Sequence, residues 1–271
     1  MTDPRQRHRG REWVFPTALL LIAAGIWWSV LQLSSVIFGP GYGHVLAHAV
    51  RAVSIAVAVL LVLAVLLRLH PAARGYGLIP DRRSLRHLLA GAAGYAVPMA
   101  GVGAVVLALG LAQIDLPDGV PAAACQLLAV LVLVLLYEAI PEELIFRGYL
   151  FGFLADRVPI WATVVIQALA FCAFGFLIGA ARTPDRLLLF LLMSLSIGVI
   201  RAISGSVYAA IGFHMLFQTA TQPLLGHHWT AFTLDDPDLW FTDLAFGLGP
   251  MLLGPLLVFL LYRTAARRAR R

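Results

Sequence analysis

The sequence predicts an all-α, polytopic membrane bundle of about eight transmembrane helices, and three observations predict it. The 271 residues are 61% hydrophobic and only 13% charged, whereas a soluble globular domain is about 25% charged, and the mean hydropathy is +0.87. Apolar runs of about 20 residues, each long enough to cross a hydrocarbon core about 30 Å thick, recur along the whole length. The arginines gather in alternate connections between those runs, as the cytoplasmic retention of basic loops requires.

The elements follow in chain order. Residues 13–38 form the first span, which begins too late and runs too long for a signal peptide and has no small-residue cleavage site after Trp27 and Trp28. The second, 45–69, leads into a basic connection carrying Arg68, Arg74, Arg82, Arg83 and Arg86. The third, 87–113, carries Gly91, Gly94, Gly101 and Gly103, which permit close helix packing within one bundle or between two chains. Asp115 and Asp118 follow it. The fourth, 122–146, ends beside Glu142 and Glu143, and its connection to the fifth, 159–180, holds Arg147 and Arg157. Arg182 and Arg186 stand against Asp185 before the sixth span, 186–201, and the seventh covers 206–224. An acidic loop at 225–239 contains Asp235, Asp236 and Asp238, with Trp229 and Trp240 as interfacial anchors. The eighth span, 240–262, runs into Arg263, Arg267, Arg268, Arg270 and Arg271. With Arg5, Arg7, Arg9 and Arg11 at the other end, both termini are expected in the cytoplasm. The expectation is a single integral membrane domain over 1–271, in a bacterial plasma membrane.

The net charge of +6 does not point to nucleic acid, because the arginines are spread over juxtamembrane segments instead of forming one patch with interleaved aromatics. The lipid bilayer, with its anionic headgroups, is the expected partner. The two cysteines, Cys125 and Cys172, both fall inside expected spans, where cysteine behaves as a small apolar residue.

The chemistry is expected where charge interrupts this apolar background. Charged side chains cost several kcal/mol in or near lipid unless they are paired or face a polar cavity. Glu143 and Arg147 are one helical turn apart and can pair, and two adjacent glutamates, Glu142 and Glu143, with one arginine leave an acid that the stretch does not neutralise. Pro141, just before them, removes a backbone donor and can open a kink. Such a carboxylate is open to two roles, a general base for water or an internal strut. In the seventh span His214 and Gln218 share one helical face. Counted from Gly205, His214 is about 13 Å deep, on the side of the glutamates. These two can orient water or donate to an oxyanion, or instead tie helices together.

At these residues the sequence resembles the CAAX-protease and bacteriocin-processing (CPBP, or Abi) intramembrane proteases, which include the type II CAAX prenyl endopeptidases. Glu142-Glu143-Leu144-Ile145-Phe146-Arg147-Gly148 matches the family's first motif, and Gly75-Tyr76-Gly77-Leu78 with Leu88, Gly91 and Gly94 matches the connection and Gly-rich helix that precede it. The resemblance covers about 75–225. It implies an eight-helix fold and an endopeptidase in which Glu142 is the general base, Glu143 its supporting carboxylate, Arg147 the charge partner and His214 the histidine of a later motif. Gln218 stands where the family has asparagine or aspartate. The implied substrate is a peptide or membrane protein.

One departure matters. The second motif calls for a histidine after Phe174-Gly175-Phe176-Leu177, and this chain has Ile178. The matched donors then fall short of the three protein ligands of catalytic zinc, so no divalent metal or other cofactor is expected. Two functions stay open: an endopeptidase working from a cavity open to the cytoplasm, and a catalytically degenerate scaffold, immunity or binding protein. A proton-relaying transporter is a weaker third.

Overall fold

A computed structural model describes residues 13–39, 45–222 and 232–268. The terminal arginines at 5–11, 270 and 271 and the anchor expected at Trp229 lie outside the described residues. The fold is an all-α bundle in which helices α1 (Val14–Phe38), α2 (Val45–Leu69), α3 (Ser84–Ala108), α4 (Gly119–Ala155), α5 (Ile160–Leu177) and α6 (Pro184–Ser204) are each long and apolar enough to span a membrane. So is the final helix, which follows the shorter α7 (Val207–Thr221) and is called α8 (Phe241–Ala265). That makes seven spanning helices among the described residues, and the protein is an integral membrane protein.

Two short strands, β1 (Gln113–Asp115) and β2 (Thr233–Asp235), pair antiparallel with Ile114 opposite Leu234. They join the α3–α4 connection to the α7–α8 connection, so both acidic connections lie on one side of the bundle. The Asp236 carboxylate accepts from the main-chain N–H groups of Phe241 and Thr242 and caps the start of α8. A small apolar cluster of Val106, Ala112, Phe241, Ala245 and Phe246 sits beneath this ribbon.

The helices meet where glycine removes bulk. A Cβ at Gly91 would overlap the Ala209 carbonyl, and one at Gly212 would overlap the Leu88 carbonyl, so α3 and α7 pack backbone to backbone. Gly94 and Gly254 do the same for α3 and α8, with Gly94 O 2.6 Å from the Cβ position of Gly254. Gly91, Gly94 and Gly103 therefore serve packing within the bundle, while Gly101 faces no atom within 4 Å.

The structure corrects the reading of the fourth span. The helix is 37 residues long, continuing to Ala155, about 55 Å by its rise per residue. Arg147 lies inside it and is fully buried, so it is not a charge of the following connection. At Pro141 the helix is disturbed but runs on. Two π-helical stretches, Leu135–Ala139 and Leu144–Leu150, flank the short α-helical turn Ile140–Glu143 that contains it. Widening to i→i+5 bonding is how a helix continues past a residue that lacks a donor. Every residue from Pro141 to Leu154 is buried, whereas the first half of α4 is largely exposed. A helix buried on all sides is the centre of its bundle, and the glutamate motif occupies that segment.

Candidate active site

The site is assembled from α4, α6 and α7 around one fixed carboxylate. Glu143 Oε1 accepts from Arg147 Nη1 at 2.9 Å and lies 2.8 Å from His214 Nδ1, and all three side chains are fully buried. A carboxylate oxygen only accepts, so this contact assigns the proton to Nδ1 and leaves Nε2 of a neutral imidazole as an acceptor. Nε2 points toward Glu142, whose Oε2 is 4.0 Å away. That exceeds direct hydrogen-bond reach. A water about 2.8 Å from both atoms would bridge them at an angle near 90°.

Arg147 is held on two further sides. Its Nη2 donates to Ser194 Oγ at 2.7 Å, and its guanidinium lies 4.5 Å from the centroid of the Phe171 ring. Gln167 of α5 donates to the Ser194 carbonyl at 3.1 Å. Phe146, within the motif, meets Phe171 edge to face with centroids 5.1 Å apart. Aromatic walls thus enclose the charges and strengthen each interaction by excluding water.

The glycine after the arginine has a packing task. A Cβ on Gly148 would strike Leu78, and one on Gly152 would strike the Tyr76 ring. The Gly75-Tyr76-Gly77-Leu78 segment therefore docks on the motif helix itself. Gly77 adopts φ +76°, open to glycine at little cost.

Of the five residues expected in the site, Glu142, Glu143, Arg147 and His214 come together. Gln218 lies one turn further along α7, half-buried, and among the described residues it has no hydrogen bond to that cluster. Ile178 sits at the C-terminal cap of α5, partly buried against the core. Ser194, Gln167 and Phe171 escaped the sequence reading; a serine and a glutamine isolated in apolar spans were the available signal. Glu138, one turn before Glu142, accepts from Gln222 at 3.4 Å. As for a divalent metal, Glu142 and His214 offer two donors where catalytic zinc takes three, and no group of three or more His, Cys, Asp or Glu among the described residues is placed to hold one.

The cluster thus sets a glutamate-arginine pair against a histidine from a later helix, and a family comparison covers the same stretch. Residues 124–220 match the type II CAAX prenyl endopeptidase Rce1-like family. The match runs from the exposed half of α4 to the end of α7 and includes every residue of the cluster. No curated protein matches the chain. The similarity to the Rce1-like family therefore covers the part of the chain that carries the cluster.

Proposed function

We propose that this protein is an intramembrane endopeptidase that hydrolyses a peptide bond with water activated by Glu142, in a cavity open to the cytoplasm of a bacterial plasma membrane. The observation that carries this reading is the division of labour between two adjacent carboxylates: Glu143 is committed to Arg147 and His214, while Glu142 Oε2 faces His214 Nε2 across 4.0 Å.

The steps follow from that geometry. Water held by Glu142 and His214 Nε2 gives a proton to Glu142 as its oxygen attacks the carbonyl carbon of the scissile bond. The tetrahedral intermediate collapses with cleavage of the C–N bond, and Glu142 passes the proton to the leaving nitrogen, giving a carboxyl and an amine product. Arg147 and Glu143 hold the imidazole in one tautomer throughout. Gln218 is the nearby amide able to turn toward the oxyanion when substrate is bound. Ile178 supplies no donor at the second-motif position, and the loss of one such donor costs about 10²–10³ in rate, so turnover is expected to be slow.

Ile178 also favours a second reading, in which the fold binds a peptide without cleaving it. Cleavage of a mixed peptide library by the purified protein in lipid, followed by mass spectrometry, separates the two. Turnover that Glu142→Ala abolishes supports the protease. No turnover in the native chain, with cleavage appearing only in Ile178→His, identifies a binding protein on a protease fold.

A further inference from the structure

A second polar site lies at the end of the bundle where the 3-10 turn Pro71–Tyr76, the end of α4, the start of α5 and the end of α6 converge. It is a cavity of about 270 Å³ lined by Tyr76, Phe151, Gly152, Asp156, Ile160 and Arg201, among others. Arg201 is its buried cation, only 9% exposed. The guanidinium donates from Nε to the Arg147 carbonyl at 2.9 Å and from Nη2 to the Tyr76 carbonyl at 3.4 Å, and no carboxylate among the described residues pairs with it. A buried guanidinium without a counter-ion is costly, and an anion in the cavity would supply one.

The rim says what kind of anion. Asp156 is exposed there, and its Oδ2 accepts from the Tyr76 hydroxyl at 3.1 Å. Burial, and then the Asp156 charge, push the Tyr76 phenol above its ordinary value, so it stays protonated and keeps donating. Arg201 inside the cavity and Asp156 at its rim match a group carrying both charges, with the Arg157 guanidinium beside the Tyr76 hydroxyl at the same rim, and the carboxylate opposes a free dianion. At the mouth, Ile160 is 51% and Trp161 69% exposed at the start of α5, and the Arg157 guanidinium lies 3.7 Å from the Phe153 ring centroid. An exposed tryptophan beside arginines marks the depth of lipid headgroups.

We propose that this cavity binds a phospholipid headgroup bearing a primary ammonium, with Arg201 on the phosphodiester and Asp156 on the ammonium. A choline headgroup lacks the N–H that Asp156 would accept, and a glycerol headgroup lacks the positive charge. Because Arg201 also holds the main chain of Arg147, the headgroup sits against the helix that carries the glutamates. The proposal does not depend on peptide hydrolysis.

The test is native mass spectrometry of the full-length protein released from nanodiscs made with equal parts of phosphatidylethanolamine, phosphatidylcholine and phosphatidylglycerol. One retained phosphatidylethanolamine per chain is expected, falling at least about tenfold in Arg201→Gln with the loss of a charge-assisted contact. Since Arg201→Gln also removes a contact to the Arg147 backbone, two rim variants accompany it. Ala155→Phe adds bulk to the lining at a residue that makes no hydrogen bond to the guanidinium and should lose all retained lipid, whereas Asp156→Leu, which removes both the charge and the acceptor oxygen, should make ethanolamine and choline headgroups equivalent. Equal retention of the three lipids by the native protein, no retention at all, or displacement of the lipid by millimolar inorganic phosphate would overturn the proposal. The last of these would mark a free-anion site.

Discussion

Glu142 and Glu143 are neighbours in sequence and differ in every physical respect that matters to their use. Glu143 is locked by two buried partners, and Arg147 is in turn locked by Ser194 and by the face of Phe171. Removing a link therefore costs stability in proportion to the charge left stranded. Arg147→Met strands a buried carboxylate and should destabilise by about 3–5 kcal/mol. Ser194→Ala strands one donor of Arg147 and should cost about 1–3 kcal/mol. Glu142→Gln strands nothing and should leave stability nearly unchanged, while abolishing any hydrolysis. Unfolding in mixed micelles, set beside peptide turnover, reads both orders, and a Glu142→Gln variant as unstable as Arg147→Met would make Glu142 a strut.

Helix α4 shows how one element can serve two environments. Its first half faces outward and its second half is enclosed, and the change coincides with the π-helical turns around Pro141. Residues 138, 142, 143 and 147 all turn inward along this enclosed stretch, where Glu138 meets Gln222 and Glu143 meets Arg147 and His214. The enclosure depends on glycine in the neighbouring helices. Gly212→Ala places a methyl group on the Leu88 main-chain carbonyl and should destabilise by about 1–3 kcal/mol, because a backbone cannot yield as a side chain does. Gly101→Ala, which meets nothing, should be neutral or slightly stabilising by helix propensity. Thermal unfolding of the two variants in the same detergent checks the contrast, and equal losses would refute the close-packing account.

For the molecule as a whole, the β1–β2 pairing puts both acidic connections on one side, and the alternation of helices puts the connection with Arg74, Arg82 and Arg83, and Arg86 in the first turn of α3, on the other. The positive-inside rule predicts that the arginine side faces the cytoplasm. In a background with Cys125 and Cys172 replaced by alanine, a cysteine introduced at Asp118 should react with an impermeant maleimide on intact cells, and one at Arg83 should react only after permeabilisation. The opposite pattern would invert the topology, and with it the side proposed for entry to Glu142.

The apolar runs were enough to read an all-α membrane bundle, the Glu-Glu-x-x-x-Arg spacing to single out Glu142, Glu143 and Arg147, and a shared helix face to single out His214 with Gln218, because hydrophobic length and one-turn spacing are local properties of a chain. The same local logic misplaced Arg147 in a connection, since a run of hydropathy ends at a charge whether or not the helix does. Which glutamate is anchored, which nitrogen of His214 is left to accept, and that Ser194, Gln167 and Phe171 support the arginine depend on helices that are distant in sequence. Those contacts arise from packing at glycine-lined crossings between helices, and packing between distant segments leaves no periodic or spacing signal in any one of them.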